Sequence, residues 1–275
     1  MGTERIDSIC LCAIGRLENR YAREFVTWHR DLGFSKVVIY DNNRGDEEHF
    51  EEVLKDFIES GFVDIVDFRD RDVVQLAAYN DCYARYGSSY DWMMFLDFDE
   101  FLVLKKHKTI QEFLQGFSCD VIKLNRMLYG DSGLVHDDGR PLNERFTVPI
   151  PFDKCLGYTF PENNHVKSIV RCGLSDVMWR ATPHIPCGRF SACNADGKTA
   201  SSSFFENYSY ETAYLKHFST KTIEEYLHNK MVRGVADRNK GWFSTSYGVD
   251  WFFRANERTP EKMELVENFK KDNRL

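Results

Sequence analysis

Asp97 and Asp99 are the residues whose type and spacing best suit chemistry. They close the run Tyr90-Asp91-Trp92-Met93-Met94-Phe95-Leu96-Asp97-Phe98-Asp99-Glu100-Phe101-Leu102. The apolar part is continuous rather than alternating, which marks a strand buried on both faces. The two carboxylates then stand at its C-terminal end. On an extended backbone, residues i and i+2 point the same way, so both carboxylates reach one hard divalent cation. Such a cation keeps coordination positions for phosphate oxygens. The expected chemistry is a metal–diphosphate site.

The elements that must position this pair are legible upstream. Residues 9–14 read as a short apolar strand. Residues 18–32 read as a helix: Tyr21, Ala22, Phe25, Val26, His29 and Leu32 recur at helical spacing, and Gly33 follows as a C-cap. His29 lies on the apolar stripe and reads as a core histidine. A strand at 37–40 ends in Asp41-Asn42-Asn43. A helix carries Phe50, Val53, Leu54, Phe57 and Ile58 on one face and stops before Gly61. A strand at 62–66 and a helix at 73–86 lead into the aspartate strand. Strand and helix alternate, so the sheet should be parallel and doubly wound, with helices on both sides. Arg16 and Glu18 follow the first strand, Asp41 to Asn43 the second, and Asp97 and Asp99 the fourth. That edge is where ligands bind in open α/β sheets. No G-x-G-x-x-G or Walker lysine loop occurs, which leaves the phosphates to a metal.

Beyond a short helix at 109–117 and a strand at 120–124 the pattern loosens. Tyr129-Gly130-Asp131-Ser132-Gly133 and Asp137-Asp138-Gly139-Arg140-Pro141 are turn-rich. Residues 214–218 read as a strand. Thr222-Ile223-Glu224-Glu225 is a capping box that opens a helix with Ile223, Tyr226, Leu227 and Met231 buried and Gly234 as its end. His217 and Lys221 precede that helix, whose N-terminus is a natural anion site. Thr259-Pro260-Glu261 opens a further helix.

Composition bounds the reading. The 275 residues are 43% hydrophobic with a net charge of −7 and no basic block, which argues against nucleic acid as a partner. No apolar run approaches the roughly 18 residues of a membrane span. Met1-Gly2-Thr3-Glu4-Arg5-Ile6 carries no secretory pattern, so a cytoplasmic protein is expected. None of the eight cysteines forms a C-x-x-C pair, and reduced thiols are expected. His184, Cys187 and Cys193 match no standard zinc spacing.

Several segments together carry a resemblance. Arg16-Leu17-Glu18-Asn19-Arg20-Tyr21, Glu24-Phe25-Val26, His29, Leu32-Gly33-Phe34 and Ile39-Tyr40-Asp41-Asn42-Asn43 form the first. Phe95-Leu96-Asp97-Phe98-Asp99-Glu100-Phe101 resembles a D-x-D-E-[FY] metal motif, and Asn164-His165-Val166-Lys167-Ser168-Ile169 a K-S-I segment. Leu215-Lys216-His217-Phe218-Ser219-Thr220-Lys221-Thr222-Ile223-Glu224-Glu225, with Lys230 and Arg233-Gly234, resembles an H-[YF]-x-x-K-[ST]-x-E-E element. In this order, over roughly residues 9 to 234, they resemble glycosyltransferase family 92 and its bacterial family-2-like relatives. Leu17 departs from the K-N-E opening of many relatives.

The resemblance implies an α/β chain of GT-A type. That is a Rossmann-like, mostly parallel sheet flanked by helices, with a loop-rich acceptor lobe. One domain over 1–275 is expected, with 1–124 the nucleotide-sugar half and 125–275 the acceptor half. It implies inverting transfer of a sugar, often galactose, from a UDP-sugar donor to a glycan acceptor, in bacterial surface polysaccharide synthesis. Mn²⁺ or Mg²⁺ would sit on Asp97 and Asp99, with His217 completing the site. Asp41, with Asn43, Arg16 and Glu18, would hold base or ribose. Lys167 and Lys221 would meet phosphate oxygens. Inversion needs a carboxylate base; Asp131 is the first candidate and Glu206 the second.

Two rival enzymes share parts of this pattern. A haloacid-type phosphatase continues its D-x-D with Thr, where this chain has Glu100. A sugar nucleotidyltransferase carries an N-terminal glycine-rich loop with lysine, absent here. Finally, Arg233, Arg238, Lys240 and Arg254 lie beside Trp242, Phe243, Trp251, Phe252 and Phe253, a mixture that suits a membrane surface. Peripheral contact with the inner face of the membrane and a lipid-linked acceptor are therefore expected.

Overall fold

The structure, a computed structural model, describes residues 8–151, 153, 162–201, 203–233 and 248–273. The chain divides into two compact units. The first holds residues up to 126 together with 164–216; the second holds 127–163 and 217 onward. Residues 164–216, expected in the acceptor half, return to the first unit because their strands complete its sheet.

In the first unit, β1 (Ile9–Gly15), β2 (Lys36–Asp41), β3 (Val63–Asp67) and β4 (Trp92–Leu96) alternate with α1 (Asn19–Asp31), α2 (Glu51–Glu59) and α3 (Gln75–Tyr86). They pair in parallel in the order β3-β2-β1-β4. This is the expected Rossmann-like half, and every residue of β1 and β4 is buried. Cys10 and Cys12 face Ala78, Tyr79 and Cys82 of α3 in one core cluster. The alternate set Ile9, Leu11 and Ala13 points the other way and is equally buried. Sheet burial on both faces explains the unbroken apolar runs.

The sheet continues through β5 (Glu100–Leu104), β6 (Val121–Leu128), β7 (Val166–Arg171), β8 (Ala192–Asn194) and β9 (Ala213–His217), with the helix α4 (Ile110–Leu114) after β5. The helix read at 109–117 and the strands read at 120–124 and 214–218 correspond to α4, β6 and β9, whereas β5, β7 and β8 carried no periodicity signal. Strand β7 runs antiparallel between β4 and β6, and β8 runs parallel beside β6. The pairing of Ile122 with Cys193 brings β8 against the start of β6, where a disulfide joins Cys193 to Cys119. That corrects the expectation of reduced thiols for this pair. Cys10, Cys12 and Cys82 stay free and buried.

His29 is fully buried, its Nδ1 2.9 Å from the Phe25 carbonyl and its Nε2 3.4 Å from the amide of Leu102. It is the core histidine its position on the stripe predicts. Burial holds its pKa down at about 4.

The second unit is helical and rich in loops. It comprises α5 (Leu142–Arg145), α6 (Ile223–Tyr226), a π-helix at Leu227–Arg233, α7 (Gly248–Ala255) and α8 (Pro260–Asn273). The helix expected to run from Thr222 is α for one turn and then widens. Its predicted end, Gly234, lies outside the described residues. Ile223, Tyr226, Leu227, Phe252 and Val266 form its buried core. Arg145 is buried and forks onto Glu225 at 2.9 and 3.0 Å, tying α5 to α6. Among the described residues, no helix is long and apolar enough to cross a membrane.

Candidate active site

The strand order places β2 and β3 on one side of β1 and β4 on the other, so the order reverses between β1 and β4. Ligands bind outside the carboxyl ends of the strands at such a reversal. The loops that leave β1 and β4 there begin with Arg16 and Asp97.

The aspartates lie on a turn rather than on continuing strand. The Glu100 amide donates to the Asp97 carbonyl at 3.0 Å, which closes the chain between β4 and β5. Phe98 faces the core: its ring stacks on Phe50 at 5.2 Å and meets Phe25 at 4.9 Å. A Cβ on Gly15 would come within 2.6 Å of that ring, so only glycine at the end of β1 leaves it room. Burying a phenyl ring stabilises by about 1.5–3 kcal/mol, which anchors the residue between the aspartates.

Both oxygens of Asp97 are held. Oδ1 accepts from Gln75 Nε2 at 2.6 Å and lies 3.5 Å from the Tyr79 hydroxyl; Oδ2 accepts from Lys167 Nζ at 2.9 Å. The Asp97 side chain is still 37% exposed, whereas Lys167 is fully buried. Lys167 Nζ also lies 3.3 Å from Oε2 of Glu100, itself wholly buried, and Arg126 approaches the other Glu100 oxygen at 4.0 Å. Burial pushes the Glu100 carboxyl up to about 7, against the pull of Lys167. Burial also works against the charge of Lys167, but Asp97 and Glu100 outweigh it and hold the ammonium well above its usual range.

Gln75 and Tyr79 gave no motif signal. They sit with Ala78 and Cys82 on the buried stripe of α3, so a polar residue in the first place of an apolar stripe was the clue available. Lys167 was expected to meet phosphate; its burial instead directs its charge onto Asp97.

The loop after β2 has a different centre from the one expected. Asp41 is 3% exposed. Its Oδ1 accepts from the amide and the side chain of Asn43 at 2.9 and 2.7 Å, and its Oδ2 from Arg69 at 2.7 Å. Arg69 also donates to the carbonyls of Gly45, Glu47 and Glu48. Asp41 therefore fixes the loop through Arg69. Asp41, His49 and Glu51 are spaced as a metal group would be, but Arg69 already places a cation against Asp41 and 3.5 Å from His49. Asn43 Oδ1 accepts from the Leu17 amide at 2.8 Å, and Arg16 forks onto Glu47 at 2.9 and 2.5 Å. The loops after β1 and β2 thus form one wall, with Glu18 buried at the head of α1. Leu17, Asp70 and Val73 all have positive φ, at 54°, 59° and 53°. Backbone strain of this kind gathers at ligand edges, and all three lie in loops at this edge.

Glu206 accepts from the buried Lys123 at 2.9 Å. Burial raises its carboxyl, but Lys123 more than offsets this, and its pKa is lowered. In the second unit, Asp131 Oδ2 accepts from Lys262 Nζ at 2.5 Å, and both side chains are buried. Both carboxylates expected as base are therefore ion-paired. His217 ends β9, and its carbonyl accepts from the Tyr129 amide. Lys221, at φ 55°, precedes the N-cap Thr222. Thr222 and Glu225 cap each other reciprocally there, so the helix end meets its own side chains.

The chain can be set beside known proteins at this point. The model of glycosyltransferase family 92 matches residues 8–230. A family 92 protein of Oryza sativa is 32% identical over 111 residues, which cover 40% of this chain and 19% of that protein. A galactan beta-1,4-galactosyltransferase of Arabidopsis thaliana is 36% identical over 110 residues, covering 37% and 22%. Each match thus spans only about a fifth of the relative's own length. Among solved structures, S. aureus TarS 1–349 in complex with UDP-GlcNAc aligns at TM-score 0.40 and 12% identity over 60% of this chain and 45% of that one. With most of its length matched by the family model, the chain belongs to glycosyltransferase family 92.

Proposed function

We propose that this chain moves a hexose, galactose favoured, from a UDP-sugar to a glycan acceptor, with inversion at the sugar carbon and with Mn²⁺ or Mg²⁺. The observation that carries the reading is the constellation at the strand reversal: Asp97 and Asp99 on an anchored turn, with the buried Lys167 behind Asp97. The donor set fits a hard dication, since carboxylate oxygens suit Mg²⁺ and Mn²⁺. Bound on Asp97 and Asp99, with His217 as a proposed third ligand, the metal would neutralise charge on the leaving diphosphate. Gln75 and Lys167 orient Asp97 for it. The wall built by Arg16, Asn43, Asp41 and Arg69 would face the nucleoside, and Lys221 is assigned to phosphate.

Galactose is favoured because two of the relatives are galactan galactosyltransferases. The bacterial surface setting rests on the sequence resemblance alone, as the curated relatives named above are plant proteins. For the base, Asp131 and Glu206 remain the candidates, each having to release an ammonium.

Thermal shift with UDP, UDP-galactose and GDP-sugars, with and without Mn²⁺, tests the donor. Ligand at about a hundred times its dissociation constant adds roughly 2.7 kcal/mol. Stabilisation by GDP-sugars but not by uridine nucleotides sinks the assignment.

Peripheral binding at the cytoplasmic face of a membrane is a separate proposal. Arg238, Lys240, Trp242 and Phe243 lie outside the described residues. Of the others, Phe252 is buried, and Trp251 stacks on Tyr226 at 6.2 Å. Co-sedimentation with anionic vesicles at low salt decides it; no pelleting rules it out.

A further inference from the structure

The second unit contains a cavity of about 250 Å³, and of its lining the reading above uses Asp131 alone. Its walls come from three stretches: the loop 130–133, the segment 148–151, and 255–257 at the end of α7. Ligand sites for drug-sized molecules run to roughly 300–1,000 Å³, so this one suits a single ring.

The lining is two-sided. Val148, Pro149, Pro151 and Ala255 give an apolar wall, and Asp131, its side chain 6% exposed, is an acidic residue of the opposite loop. That carboxylate is fixed from behind. Lys262 holds Oδ2 at 2.5 Å, the Gly133 amide donates to Oδ1 at 2.9 Å, and the Asp131 amide donates to Asn256 Oδ1 at 2.7 Å. A Cβ on Gly130 would come within 2.8 Å of the same Asn256 oxygen, so glycine lets the loop close on α7. An ionised carboxylate has about four acceptor positions. Two of them are taken by Lys262 and Gly133, and the others can accept from a ligand hydroxyl.

Charge selects the kind of ligand. Asp131 and Glu257 are acidic, and no basic residue lies among the described lining residues; Lys262 neutralises Asp131 only from behind. A diphosphate would be repelled. A neutral ring with C–H groups on one face and hydroxyls at its edge matches both walls.

We infer that this cavity binds one neutral pyranose of the acceptor glycan, with Asp131 accepting from its hydroxyls and Val148 and the two prolines covering its apolar face. The inference rests on the glycosyltransferase reading, and its test is kept separate from the donor. Lys262 acts here as a positioning residue, through Asp131.

The test is titration of the purified chain, without donor or metal, with methyl β-galactopyranoside and with a β-1,4-linked galactotetraose, followed by ligand-observed NMR. Val148 is 57% exposed, so Val148→Trp should fold while filling the mouth. Asp131→Asn combined with Lys262→Met removes the carboxylate without stranding the ammonium. Both variants should weaken sugar binding more than about tenfold, and Val148→Trp should leave the UDP–Mn²⁺ thermal shift unchanged. Sugar affinity retained in folded Val148→Trp, or no sugar binding by the unaltered chain at millimolar concentration, overturns the subsite whatever UDP does. A missing UDP response overturns only the donor reading.

Discussion

Lys167 and Asp97 lie 70 residues apart in sequence, and the Lys167 ammonium is 2.9 Å from the Asp97 carboxylate. Because Lys167 is wholly buried, its charge has no aqueous alternative. It is committed to Asp97 and Glu100. The turn that presents the two aspartates is therefore electrostatically braced from inside the sheet.

Asp97→Ala and Asp99→Ala should each lower transfer by roughly 10²–10³-fold, as expected for a group that stabilises developing charge. Circular dichroism should stay unchanged, since the turn is anchored by Phe98. Turnover near that of the unaltered chain in chelator-treated buffer overturns the proposed metal site.

Lys167→Met should destabilise by about 3–5 kcal/mol, because it leaves buried carboxylate without its partner. Adding Glu100→Gln should restore part of that loss. Urea melts of the two single variants and the double variant give the coupling; strictly additive losses would mean that the two groups do not interact.

Gln75→Leu should weaken metal binding ten- to a hundredfold, the usual effect of losing a group that orients a ligand, with little change in melting temperature. Calorimetric titration with Mn²⁺ measures it. An unaltered affinity assigns the 2.6 Å contact to folding alone.

His29 should make stability depend on acid. Its folded pKa, about 4, lies below its ordinary 6.5. Between those values the unfolded chain binds more protons, so stability rises with pH across this window. The contribution is complete above about 6.5 and is lost as pH falls through about 4. Its size is on the order of 3 kcal/mol for a shift of that extent. His29→Gln should flatten the slope of unfolding free energy against pH between 4 and 6.5; an unchanged slope places the titration elsewhere.

The first four strands and their helices were legible because each carries a pattern that one face or two faces of a sheet impose. Strand β7 was not, since Lys167 interrupts its apolar run, and the reason a lysine is tolerated there lies 70 residues away. Local spacing also placed Asp97 and Asp99, but it assumed extended backbone where the chain turns. Asp41 was legible as a polar residue at a strand end. That Arg69 from the next strand's loop would claim it was not, because side-chain pairing across 28 residues leaves no periodicity. Asp131 was noticed for its loop, while its partner Lys262 lies 131 residues on.

Phe98 gives the turn that carries the two aspartates its bearing, because its ring is wedged among Phe50, Phe25 and the bare Cα of Gly15. The alignment of the aspartates is thus borrowed from the hydrophobic interior, with no hinge of its own to soften first. Heating should leave catalysis intact until the interior itself gives way. Residual activity after brief heating and ellipticity should then fall at one temperature, and an earlier loss of activity would expose a separately melting turn.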